Sequence, residues 1–112
     1  MLFRSAFICS HPNKGISIFD GQKFVSIPPE FEKIKAQSIG AITFDDKGNA
    51  WLGSNLGLYC WDGSSLKQNS VITMSVRNIF KDSNHNIWVG TEKKGIFELS
   101  HSRIKNYPSS DA

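Results

Sequence analysis

The sequence has little with which to build helices, covalent staples or a membrane span. Its only two cysteines, Cys9 and Cys60, form no Cys-x-x-Cys pair, which removes the common zinc and redox motifs. His11 lies near Cys9, but no further ligands accompany it. Both thiols sit in apolar runs and read as small buried hydrophobes, and a disulfide cannot be argued from two residues so far apart in sequence. No apolar run approaches the ~20 residues of a membrane helix. The opening Met1–Ser10 stretch is too short and interrupted to read as a signal peptide. Glycine-free periodic runs of helix length are also missing.

Charge of one sign is in short supply as well. The formal net charge is +3 over 112 residues, with a pI of about 9.0. Lysine and arginine are scattered, and Lys93-Lys94 is the one tight pair. That pattern fits a solvated surface and gives no stripe for a nucleic acid. Catalytic signatures are missing too: there is no Gly-x-Ser-x-Gly, His-Glu-x-x-His or phosphate-loop pattern. His11, His85 and His101 fall in predicted loops without a nameable partner. Asp82-x-Asn84-x-Asn86 resembles the opening of a calcium loop, yet Ile87 and Lys93 stand where that loop needs glycine and glutamate. The expectation is a chain with no enzymatic activity, no cofactor and no metal.

What is present is a repeat. Trp51 and Trp88 are 37 residues apart, and the same offset pairs Ile39 with Val76, Ile42 with Ile79, Asp45 with Asp82, Asn49 with Asn86 and Gly53 with Gly90. Gly57 pairs with Gly95 at an offset of 38, because the intervening loop is one residue longer. An earlier copy survives as Gly15-Ile16-Ser17-Ile18-Phe19-Asp20-Gly21, matching residues 57–63 at an offset of 42. The excess of five lies in an insertion, Pro28–Lys35. One period and two loop changes therefore account for the whole pattern.

Each unit reads as short strands. The segments between glycine, asparagine and aspartate are aromatic and β-branched, which favours sheet. The first strand is expected at 38–44 and 75–81, although its apolar positions alternate imperfectly. Asp45–Asn49 and Asp82–Asn86 are hairpin turns. The second strand is 50–53 and 87–90, a continuous apolar run suited to burial on both faces. The third runs over 58–62 and 96–100. Asp20-Gly21 and Asp62-Gly63 then turn into a fourth around Phe24 and Leu66. Four antiparallel strands in about 40 residues is the pattern of a β-propeller blade. Trp51, Trp61 and Trp88 read as blade-packing aromatics, with Gly53, Gly57, Gly90 and Gly95 permitting close approach or turns.

The run Asp-x-x-Gly-x-x-Trp-Leu-Gly-Ser-x-x-Gly-Leu at 45–58 resembles the two-component-regulator propeller repeat. The copy at 82–96 fits it except that His85 replaces the turn glycine, and the N-terminal copy keeps only Gly15-Ile16. The resemblance implies an extracytoplasmic or periplasmic sensor region and a glycan fragment or other small ligand. It also implies a longer parent with a membrane segment and output modules, none of which occurs in this sequence.

The sequence thus predicts an all-β propeller fragment of about two and a half repeats. The divisions are trailing strands of a degenerate blade plus an inserted loop over 1–37, a blade over 38–74, and a blade with a C-terminal tail over 75–112. A propeller needs about 4–8 blades, so further blades or a homo-oligomer must close the ring. The expected role is a non-enzymatic ligand-sensing module, the alternative being a self-assembling scaffold for protein–protein interaction. Ligands of propellers meet the loops at one end of the channel, which here nominates His11, Asn13, Asn55, Glu92 and Lys93, and the inserted stretch reads first as a tolerated surface elaboration and second as a contact surface.

Overall fold

Dense Asp/Gly punctuation leaves room only for strands of a few residues, and such strands form hairpins with their chain neighbours. The computed structural model describes residues 7–11, 15–19, 22–25, 29–34, 37–100 and 103–108. The first sheet holds β1 (Phe7–His11), β2 (Gly15–Phe19) and β3 (Phe24–Val25). The second holds β4 (Ile39–Phe44), β5 (Ala50–Ser54), β6 (Gly57–Trp61) and β7 (Leu66–Gln68). The third holds β8 (Val76–Lys81), β9 (Ile87–Thr91), β10 (Ile96–Ser100) and β11 (Arg103–Tyr107). Strand order follows chain order in every sheet and all pairings are antiparallel. These are propeller blades, two of them four-stranded.

The period survives in the hydrogen-bond register. Phe19 pairs with Phe24, Trp61 with Leu66, and Leu99 with Ile104, at the same point of each blade. Both four-stranded blades break register at the same place, between Ile39 and Ala41 and between Val76 and Asn78. Gly40 and Arg77 are therefore equivalent bulge residues. A bulge bends its strand and re-aims a side chain, and here it does so at the start of each first strand. The first strands β4 and β8 lie against one another, so the blades fan out from a common edge.

Two apolar clusters fill the gaps between blades. One joins Val76, Ile79 and Val89 of the third blade to Leu58 of the second, with Trp51 packed against it. Gly53 makes this contact possible: a Cβ built there would lie 2.4 Å from Val76 Cγ1. The other cluster lies on the opposite face of the second blade, around Leu52, Tyr59, Trp61 and Leu66.

The inserted stretch departs from expectation. Its residues Pro29–Ile34 form a 3-10 helix that buries Phe31 and Ile34 in this second cluster. Phe31 meets Trp61 edge to face, with ring centroids 5.3 Å apart. The segment is core and not a surface elaboration, because residues three apart eclipse in a 3-10 helix and present one apolar edge. His11 also departs from the loop expected for it, since its backbone pairs with Gly15 as the last residue of β1. His101 and Asn13 lie outside the described residues.

Candidate functional site

The turn motif is first a structural device. Asp45 Oδ1 accepts from the backbone N–H groups of Lys47 and Asn49, each at 2.9 Å, while its Oδ2 accepts from Trp51 Nε1 at 3.1 Å. Asp82 repeats this with Asn84, Asn86 and the Trp88 indole, the last at 2.6 Å. One carboxylate thus fixes the turn and pins the tryptophan six residues on. Sequence reading identified both residues but not the bond between them. The repeated Asp-x5-Trp spacing was the available signal. Trp61 has no such aspartate, and its indole N–H meets no acceptor among the described residues. At the far end of the hairpin, Thr91 Oγ1 donates to the Gly95 carbonyl at 2.7 Å and accepts from Lys94 N–H at 3.0 Å. The serine or threonine of the motif is therefore a loop cap, as Ser54 is for Leu56 N–H at 3.0 Å.

Trp51 is packed between blades. Trp88 is its repeat equivalent, but no blade follows it among the described residues. It lies half-buried between Phe80, stacked at 6.3 Å, and Tyr107 at 5.8 Å. Gly57 and Gly95 hold φ angles of 144° and 79°, which a side chain rarely adopts. Gly90 faces the side chain of Asn78 in its own blade.

Of the nominated ligand residues, Asn55 and Glu92 come together. They are equivalents one period apart, and their backbone N–H groups donate to the Ser38 and Ser75 carbonyls at 3.2 and 3.1 Å. Both line a groove of about 380 Å³ that spans two blades, with Gly40 and Arg77 on its floor. Arg77 is the bulge residue of β8, and its guanidinium approaches Glu92 at 3.7 Å with both side chains exposed. Asn55 Oδ1 accepts from Ser38 N–H at 2.9 Å and so holds the groove wall. Lys93 lies outside this groove, in an adjoining hollow of about 290 Å³ beside Met74 and Glu92. The side chain of His11 falls outside the described residues. Arg77 was missed, because only the bulge turns a strand residue toward the loops.

A larger groove of about 470 Å³ lies between the Asp45–Asn49 and Asp82–Asn86 turns, at the other end of the strands. Its carboxylates are engaged within the chain, Asp45 by Asn49 and Trp51 and Asp46 by ion pairs. Asp46 bridges the two blades, reaching Lys81 Nζ at 3.0 Å and His85 Nδ1 at 2.7 Å. That contact uses His85 in a left-handed conformation, φ 68°, where the equivalent turn residue is Gly48. Burial, aided by Asp45 and Asp62, pushes the Cys60 thiol up to about 11, so it stays protonated and unreactive at neutral pH.

The turn carboxylates give the fold an acid limit. N–H donors of Ser65 and Ser64 bring Asp62 from 3.8 down to about 2. The Trp88 indole, followed by Asn86 N–H, lowers Asp82, and Lys81 lowers Asp46. A depressed carboxyl adds stability that is complete above its ordinary value and is lost as pH falls through its folded value. The urea midpoint should stay level from neutrality to about pH 4 and then decline toward pH 2. Asp62→Asn should flatten part of that decline. An unchanged acid slope in this variant would exclude Asp62 as a contributor.

No curated protein matches this chain in sequence. Residues 67–93 match the family model described as two component regulator propeller. That stretch runs from β7 through β8, the Asp82 turn and β9 into the loop bearing Glu92. The matched stretch crosses the boundary between the second and third blades, so this part of the chain is similar to the two component regulator propeller repeat.

Proposed function

We propose that this chain is a non-enzymatic recognition module, a piece of the sensor propeller of a two-component regulator. It takes a polar small ligand at the groove formed by Gly40, Asn55, Arg77 and Glu92. The family resemblance makes a glycan fragment the first ligand class to test and an extracytoplasmic compartment the setting. One observation supports this reading above others. The bulge residue Arg77 meets Glu92 of its own blade on the wall of a groove that spans two blades, leaving a cation and an anion exposed and held only at 3.7 Å. An exposed pair at that distance is weak, so a ligand bearing hydroxyl and carboxylate groups can displace it at small cost. The turn-end groove is less suited, since its carboxylates already accept strong internal bonds.

Titration of the protein with neutral and acidic oligosaccharides, followed by calorimetry, tests the reading. Arg77→Ala should weaken binding roughly tenfold, the equivalent of one charge-assisted hydrogen bond. Glu92→Gln should weaken it less, because it keeps an acceptor. A ligand that binds wild type and Arg77→Ala alike would place recognition elsewhere.

A further inference from the structure

We infer that Gly40 is the specificity-determining position of the Arg77 groove, and that the groove selects a ligand with one acidic group at one end and a neutral, hydroxyl-bearing body at the other. The inference rests on the reading of that groove as a polar-ligand site. Its two walls are copies of one motif. Gly40 and Asn55 of the second blade stand where Arg77 and Glu92 stand in the third, 37 residues on, and Ser38 and Ser75 repeat in the same way. Both bulges break register at the same point, so positions 40 and 77 hold equivalent places on the groove floor. The backbone is thus repeated across the groove, but the charge is not. The third-blade half carries a cation and an anion, and the second-blade half carries neither.

Nothing in the fold asks for glycine at position 40. A Cβ built there meets no atom within 4 Å, so no neighbour needs the space, in contrast to Gly53. Its φ is not positive, in contrast to Gly57 and Gly95. The bulge does not require glycine either, because Arg77 occupies the equivalent bulge. A glycine inside a strand weakens it, and one with no packing or backbone reason marks a close approach from outside. Asn55 supplies the matching chemistry. Its Oδ1 accepts from Ser38 N–H at 2.9 Å, and its amide N–H groups meet no acceptor among the described residues. Those donors suit a hydroxyl or ring oxygen and bring no charge to a second acidic group. A carboxylate desolvated against this half would lose more than a neutral amide returns. The acidic end of the ligand therefore lies at Arg77 and its neutral body over Gly40.

Calorimetry on the full chain with three probes tests the inference: lactobionate, with one carboxylate and a galactose body, lactose, its neutral counterpart, and digalacturonate, with two carboxylates. Wild type should bind lactobionate roughly tenfold tighter than lactose, and digalacturonate no tighter than lactobionate. Gly40→Leu should weaken lactobionate roughly tenfold or more, because its side chain fills the space kept clear for the ligand, and Gly40→Ala should fall between. Circular dichroism should report an unchanged sheet in both variants. Gly40→Ser repeats the test should the leucine variant fail to fold. Lactobionate binding that falls with Arg77→Ala but not with Gly40→Leu overturns the inference and leaves the groove standing as a ligand site. A preference for digalacturonate, or equal binding of lactose and lactobionate, overturns the assignment of one acidic end. Wild type that binds none of the three overturns the inference together with the reading on which it rests.

Discussion

Phe31→Ala should lower stability by about 3–5 kcal/mol, the range for removing a buried aromatic from a packed core. Domains of this size have roughly 5–15 kcal/mol in total, so the variant should approach the threshold of folding. The expectation rests on position. Phe31 and Ile34 are buried together against Trp61 and Leu66, and the Phe31–Trp61 edge-to-face contact adds about 0.5–1.5 kcal/mol beyond area. Urea unfolding checks it through the midpoint at constant slope. A loss under about 1 kcal/mol would mean that the inserted segment lies on the surface. The neighbouring Lys33→Ala, on the exposed side of the same 3-10 helix, should change little.

Gly53→Val should be nearly as damaging for the opposite reason. A Cβ at Gly53 meets Val76 Cγ1 at 2.4 Å, Val76 Cβ at 3.0 Å and Ile79 Cδ1 at 3.2 Å, all rooted in the next blade. Overpacking of this kind typically costs about 1–3 kcal/mol, and two branched methyls raise it toward the upper end. The blades must separate to admit the side chain, so the whole apolar cluster between the second and third blades is disturbed. Two companion glycines grade the effect. At Gly90 the added carbon meets only the tip of the Asn78 side chain, which can swing aside, and at Gly40 nothing lies within 4 Å. The order of loss in urea should be Gly53→Ala, then Gly90→Ala, then Gly40→Ala. Equal losses at all three would show that the glycines serve the strand backbone and not the blade boundary.

Much of this architecture is legible in the sequence, for reasons that individual residues make plain. Asp45, Gly48 and Asn49 cannot sit inside a strand at low cost, so they mark the hairpin tip, and Asp82 and Asn86 mark it again one period later. Gly57 and Gly95 announce the next turn because their backbones occupy φ values that other residues resist. The insertion is misread for a specific reason. Pro28-Pro29-Glu30 looks like loop, and the pairing of Phe31 with Ile34 emerges only once a three-residue turn is assumed. The candidate site is legible by half. Asn55 and Glu92 are equivalent by arithmetic, but their common groove depends on how the blades fan. Arg77 enters it only through a bulge, which leaves no mark on a strand's composition.

That every sheet is made of consecutive strands bears on how such a chain grows. No strand crosses to another sheet, so each 37-residue period is threaded, paired and turned by its own residues. Stability then accrues as a sum over units and the boundaries between neighbours. A gene can therefore gain or lose a whole period without re-routing any other part of the chain. Only the angle between neighbouring blades limits how many periods a ring will accept.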